Sequence, residues 1–242
     1  MNSVRKKFSL KPSSKKKNGI WDNIPLAFAW RYCCHSVMVL IAVIGEGLSA
    51  PTLHDRVLSL VPLIPTIAKY NYHLWVFCYI PVAAVLWKLN RQRFVEFLYA
   101  GGVVSLLRGI SIFVTGLGPV SGRDVNAGKP ISELLTGWLQ IINPFSALTT
   151  DAAHVYLTKD LFFSGHTAST FLLLLYCWQY PRLRIVALAG HIVVVAVVFL
   201  SHLHYTIDVI GGWAVSFCVF VAAERFFSHI KTAFPSESNR AV

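Results

Sequence analysis

Residues 159–176 read KDLFFSGHTASTFLLLLY, a charge pair and a Ser-Gly-His triplet set directly ahead of a run of leucines. Imidazole is costly to bury in hydrocarbon, and glycine is a poor helix former. A polar triplet at the mouth of so apolar a segment is therefore either a loop cap or a place where chemistry is done. The leucines themselves belong to one of several apolar runs, and their spacing along the chain decides the fold.

The chain has 242 residues, 55% hydrophobic and 14% charged, with a mean hydropathy of +0.56. Soluble domains carry about 25% charged residues, so this is the balance of an integral membrane protein. A bilayer core of about 30 Å needs about 20 apolar helical residues. Stretches 27–49, 72–88, 94–116, 161–179, 183–200 and 204–227 meet that need, predicting an all-α polytopic protein of six transmembrane helices. GLSAP at 47–51 has the look of a cleavage site, but the first apolar run begins only after about 25 residues, too late for a signal peptide. It is read as a retained first span.

Charge orients the spans. KLNRQR (88–93), YPRLR (180–184) and the C-terminal RFFSHIKTAF are basic, whereas the 50–71 connection is sparse in charge and 117–160 balances both signs. Excess Lys and Arg stays in the cytoplasm. Both termini are thereby predicted cytoplasmic, with a basic tail (1–24), a six-span membrane domain (25–228) and a short tail (229–242). RKKFSLKPSSKKK holds seven basic residues before position 18. Beside a membrane domain such a tail meets anionic lipid heads rather than nucleic acid. The five cysteines lie in apolar segments without metal or disulfide spacing and are read as packing residues. Trp21, Trp30, Tyr72, Trp75, Trp87 and Tyr180 lie near span ends and are read as interfacial anchors.

With this orientation the fourth and sixth spans both begin on the outer face, so three polar groups converge there. Ser164-Gly165-His166-Thr167 opens the fourth span, where backbone N–H groups and the helix dipole attract phosphate, Gly165 lets an anion approach, and Asp160 can cap the turn. In HYTID, His204 and Asp208 are neighbours at i and i+4 on a helix, so the carboxylate can hold one ring nitrogen and leave the other reactive. Arg108 lies about 12 Å, eight residues at 1.5 Å each, inside the outer end of the third span. A guanidinium at that depth is expensive and suits a phosphate. The 44-residue connection 117–160, without evident helical or strand pattern, ends at the same place and reads as a lid or re-entrant element.

Two histidines, an aspartate, a helix N-terminus and an arginine suit phosphoryl transfer: one histidine attacks phosphorus while the other protonates the departing oxygen. No metal or other cofactor is needed. His202-x-His204 is the one metal-like pattern, and residues two apart on a helix point different ways. His35, Glu46 and His191 are intramembrane ionisable residues for which interhelical hydrogen bonding is as good a reading as function.

FSGHT (163–167) and HYTIDVIGGW (204–213) resemble the two C-terminal motifs of sphingomyelin synthases and inositol phosphorylceramide synthases, a branch of the type 2 phosphatidic acid phosphatase superfamily of six-span lipid enzymes. LRGISIFVTGL (107–117) resembles that branch's central motif at Arg108, Ser111, Thr115 and Leu117, and APTLHDRVLSLVP (50–62) weakly resembles its first-loop Pro-Leu-Pro-Asp element, with His54-Asp55 in place of Pro-Asp. The resemblance implies that His204 is the nucleophile oriented by Asp208 and that His166 is the acid. The phosphatase branch places Ser-Arg where this chain has Val197-Val198, and a lysine motif ahead of its arginine that is missing here. These departures favour a phosphotransferase moving a phospho-headgroup from a phospholipid donor to a lipid alcohol, ceramide in the best-known case. A lipid phosphatase using water is the alternative within enzymes. A transporter or lipid-binding protein with proton-relaying histidines is the alternative outside them. The active site is expected on the non-cytoplasmic face of a bacterial inner membrane, or of a Golgi or plasma membrane.

Overall fold

Asparagine, proline and serine punctuate the apolar runs, and each marks a helix end. The computed structural model describes residues 23–120, 124, 126–143 and 157–233. The basic tail predicted for 1–24 lies almost wholly outside these residues, as do Trp21 and positions 234–242. Asn23 caps α1 (Ile24–Glu46), accepting from the Leu26 N–H at 3.2 Å, with Pro25 in the first turn where its missing N–H costs nothing. Pro65 opens α2 (Pro65–Leu89). Asn90 both ends α2 and caps α3 (Arg91–Thr115) through the Arg93 N–H at 2.9 Å. Gly116, at φ +52°, closes α3 in the left-handed conformation. Then follow α4 (Ile131–Ile142), α5 (Gly165–Cys177) capped by Ser164, α6 (Pro181–Leu200) opened by its proline, and α7 (Thr206–Ala233).

The described residues are thus all-α, and the spans fall within a few residues of those predicted, α2 starting seven earlier and α7 running past 228. Five helices (α1, α2, α3, α6 and α7) are long and apolar enough to cross a membrane. Their outward faces stay apolar, as at Phe77 and Val114, each about three-quarters exposed. A helix that is apolar all round belongs in lipid. The fourth predicted span is the exception. It shortens from 161–179 to 13 residues, about 20 Å of helix. Residues 158–163 form a bent, non-helical strap held by Glu46 of α1 and Arg108 of α3, so helix begins only at the Ser164 cap.

This short helix is the hub. It packs on α2, α3, α6 and α7, while α1 lies along α3. The largest core gathers around Phe163, Leu172, Tyr176 and Cys177, all buried. At one end of the bundle Arg93 of α3 pairs with Glu96 and with Glu224 of α7 and lies over the Tyr176 ring at 4.6 Å, so the start of α3 and the end of α7 are clamped together. All five cysteines are free.

The loop between α3 and α5 also differs from its prediction. The connection 117–160 was expected to lack helical pattern, yet α4 is a 12-residue amphipathic helix within it. It lies against α1, burying Leu134 and donating from Trp138 Nε1 to the Ser36 carbonyl at 2.9 Å.

Candidate active site

At the end opposite the Arg93 clamp, a cavity of about 740 Å³ opens between α1, α2, α3 and α5, reaching the turn that precedes α7. His166 and His204 face each other across it, ring centroids 6.4 Å apart. His166 sits in the first turn of α5, its ring edge-on to Trp75 at 5.7 Å, and Trp75 Nε1 donates to the Ser169 hydroxyl at 3.0 Å. Trp75 and Tyr72 therefore line the cavity, rather than serving solely as the interfacial anchors expected of them.

His204 is held by a different route from the predicted one. Helix α7 starts only at Thr206, so His204 lies in the turn ahead of it rather than on the same helical face as Asp208. Asp208, fully buried in the first turn of α7, reaches back instead. Its Oδ2 accepts from the Tyr205 N–H at 2.9 Å and contacts His204 Nδ1 at 3.3 Å, which leaves His204 Nε2 as the second ring nitrogen. The Asp208 carbonyl accepts from the Ser164 N–H at 3.0 Å, so a main-chain bond ties the two histidine-bearing segments together.

The remaining predicted residues divide. Arg108 lines the cavity and is 7% exposed. Its Nε donates to the Phe163 carbonyl at 2.8 Å, and Nη2 donates to the Asp160 carbonyl at 2.6 Å and carboxylate at 2.8 Å. Asp160 is therefore the counter-ion of Arg108, and the cap of α5 is Ser164, whose Oγ accepts from the Thr167 N–H at 3.3 Å. Ser164 and Thr167 are buried behind the cavity wall. Gly165 lines the cavity, and a Cβ there would come within 3.1 Å of the Arg108 guanidinium, so its lack of a side chain makes room for the arginine. Gly212 serves packing in the same way: a Cβ would stand 3.2 Å from the Ser164 carbonyl and 3.3 Å from Thr167 Cβ. Ser111 and Thr115 stay within α3, the Thr115 hydroxyl donating to the Ser111 carbonyl.

Three groups whose roles the sequence left open prove to be supports. Asp55, in the first loop, caps α7 from 151 residues away: it accepts from the Thr206 N–H at 2.5 Å and hydroxyl at 3.0 Å, and from Val57 N–H at 2.9 Å. Partial burial raises its pKa, but these hydrogen bonds outweigh that and hold the carboxyl below its usual range. Glu46, fully buried, accepts from the Asn126 side chain at 2.7 Å and from the Thr158 N–H at 2.6 Å and hydroxyl at 2.7 Å, anchoring the strap that carries Asp160. His191 accepts at Nε2 from Trp213 Nε1 at 2.9 Å, which leaves Nδ1 as the protonated nitrogen facing Thr170 Oγ1 at 2.8 Å. The Thr170 hydroxyl in turn donates to the His166 carbonyl at 2.9 Å. His202 is a loop residue at φ +49°, its Nε2 2.9 Å from the Val61 carbonyl.

A family model described as PAP2 superfamily C-terminal matches residues 159–225, the segment that holds both histidines and Asp208. The phosphatidylcholine:ceramide cholinephosphotransferase 1 of Caenorhabditis elegans is 25% identical over 224 residues, covering 83% of this chain and 46% of its own length. The chain is thus similar to the PAP2 superfamily over its C-terminal part and to a ceramide cholinephosphotransferase over most of its length. Its five long apolar helices make it an integral membrane protein. It spans about half the length of that curated relative. Within the superfamily match, the strap, α5, α6 and most of α7 form one continuous unit, while the arginine, the first-loop aspartate and the aromatic wall come from the part upstream.

Proposed function

We propose that this protein is a membrane lipid phosphotransferase working through a phosphohistidine. One observation carries the reading: His166 and His204 face each other across a lipid-sized cavity with Asp208 against Nδ1 of His204. His204 Nε2 attacks the phosphorus of a glycerophospholipid. The bond to the diacylglycerol oxygen breaks, and His166 delivers a proton to that oxygen. His166, now neutral, takes the proton from a ceramide-like lipid alcohol, whose oxygen attacks the phosphohistidine and frees His204. Asp208 keeps the His204 proton on Nδ1 and stabilises the charge that develops on the ring. Arg108 stands ready to trade part of its Asp160 contact for the phosphate.

The similarity to a ceramide cholinephosphotransferase supports the transferase side, as do Val197 and Val198 in place of the phosphatase branch's Ser-Arg. The basic 88–93 and 180–184 turns lie at the Arg93 end of the bundle, away from the histidines, which supports cytoplasmic termini and a site on the non-cytoplasmic face. The membrane domain is taken as 25–228, flanked by the two tails.

The test is a phospholipid labelled in its phosphate, incubated with the detergent-solubilised protein and a ceramide. An acid-labile, base-stable phosphoprotein and a labelled phosphosphingolipid are expected, both lost in His204→Ala. Release of free phosphate from phosphatidic acid with no transferred headgroup would assign the phosphatase alternative. Labelling that survives in His204→Ala would remove the histidine from the role given to it.

A further inference from the structure

The cavity holds more positive charge than one phosphate requires. Arg108 is balanced by Asp160, and His204 by Asp208. Arg31 of α1 lines the same cavity, yet the ion pairs among the described residues involve only Arg93, Arg108, Lys129, Lys159 and His204 as cations. A guanidinium in an apolar helix without a carboxylate is costly and marks a place for a ligand. Arg31 is also carefully held. Its Nη1 donates to the Ser105 hydroxyl at 2.5 Å, it bonds the Tyr79 hydroxyl, and Gly101 clears its path, since a Cβ there would stand 3.0 Å from Nε. Five N–H donors in a rigid fork exceed what two hydroxyls can take.

Its place relative to the histidines is also informative. Ser105 precedes Arg108 by three residues on α3, about 4.5 Å of helical rise. His35, one turn beyond Arg31, also lines the cavity and interacts electrostatically with both arginines. Arg31 therefore lies one small headgroup's length deeper than the phosphate held by Arg108. Among the described cavity residues Asp160 is the sole carboxylate, and Arg108 engages it, while Lys69 adds a further cation. An ammonium headgroup entering this space finds no free carboxylate and meets Arg31 and Lys69. Trp75 and Tyr79 would offer aromatic faces to a quaternary ammonium, but they stack on each other at 4.9 Å and the Arg31 cation already sits at the Tyr79 hydroxyl.

The geometry points to a second headgroup subsite, built from Arg31, Ser105 and His35, that takes a hydrogen-bond-accepting headgroup without positive charge, polyhydroxyl or carboxylate-bearing, and so selects the donor phospholipid. That the ligand is a donor phospholipid rests on the phosphotransferase reading above. The subsite itself rests on the cavity.

Binding decides it independently of turnover. Full-length protein in detergent micelles is titrated with short-chain phosphatidylglycerol and phosphatidylcholine of matched acyl chains, followed by tryptophan fluorescence and by thermal shift. Phosphatidylglycerol is expected to bind about tenfold more tightly, the worth of one charge-assisted buried hydrogen bond. Arg31→Gln brings the ratio to about one, and Arg31→Lys keeps part of the preference. Should Arg31→Gln fail to fold, Ser105→Ala loosens the guanidinium and lowers the ratio several-fold. Phosphatidylcholine binding as tightly as phosphatidylglycerol, or an unchanged ratio in the folded variants, overturns the subsite. Matched turnover assays with labelled ceramide then separate the two claims: no product from either donor overturns phosphotransfer, while the binding ratio still decides the subsite.

Discussion

Replacing Asp55 by alanine removes the cap of α7 although the residue lies in another part of the chain. Four hydrogen bonds of 2.5–3.2 Å, from the Thr206 N–H and hydroxyl and from the Val57 and Leu58 N–H groups, are lost together. Loss of an N-cap alone costs about 0.5–2 kcal/mol. A hydrogen bond to a charged acceptor is worth about 1.5–3 kcal/mol. The carboxylate is only partly buried, so water replaces some of these bonds, and a net cost of about 2 kcal/mol is expected. For a chain of this size that is a drop of about 4–8 °C in Tm. The alanine variant also lets the 201–206 turn relax, so headgroup transfer falls more than stability alone explains. The pH dependence carries a sign. A carboxyl held below its unfolded pKa stabilises the fold above that unfolded value, about 4, and the contribution fades as pH drops through the lower folded value. Wild-type protein should lose this increment on acidification, whereas Asp55→Ala should not. Thermal unfolding in micelles from pH 3 to 7, followed by tryptophan fluorescence, measures both. An alanine variant melting within about 1 °C of wild type across that range, with unchanged transfer, refutes the capping role.

Asp208→Asn keeps the shape but releases the His204 tautomer, and transfer should fall about 10²–10⁴-fold with little change in donor KM, read from steady-state kinetics. Arg108→Ala strands the half-buried Asp160 carboxylate and two carbonyls, so it should cost about 1–3 kcal/mol. Asp160→Asn leaves the cation in a polar cavity and should cost less, a ranking that paired melting curves test. His191→Phe removes two hydrogen bonds at the junction of α5, α6 and α7. About 2 kcal/mol of stability should go with them, with Thr170→Val reproducing part of the loss.

The span pattern was legible because apolar length and flanking charge are local properties, whereas the end signals at Asn23, Pro65, Asn90 and Pro181 went unused, and α2 begins at Pro65 rather than 72. The candidate trio of His166, His204 and Asp208 was legible for a related reason, since residue types suited to phosphoryl transfer sit in short segments at equivalent depths. What stayed hidden depends on distant partners. Nothing near Asp55 announces that it caps a helix at Thr206, and Gly165 looked open to an anion only while the Arg108 guanidinium beside it was unseen. Helix α4 was a different kind of miss. Leu134, Leu135, Trp138, Ile141 and Ile142 hold a helical rhythm, but Pro130 and Gly137 mask it. The shortness of α5 had no local signal either, because side chains of α1 and α3 hold residues 158–163 outside the helix.

The Ser164 N–H to Asp208 carbonyl contact is made of backbone alone. No side-chain replacement deletes it unless proline enters at 164. Mutational drift can therefore rework the walls and floor of the chamber, trading one lipid for another, while the distance between the two imidazoles stays locked. A scaffold wired in this way offers an engineer a fixed histidine pair beneath an exchangeable vestibule, and Arg31 is the first position to vary.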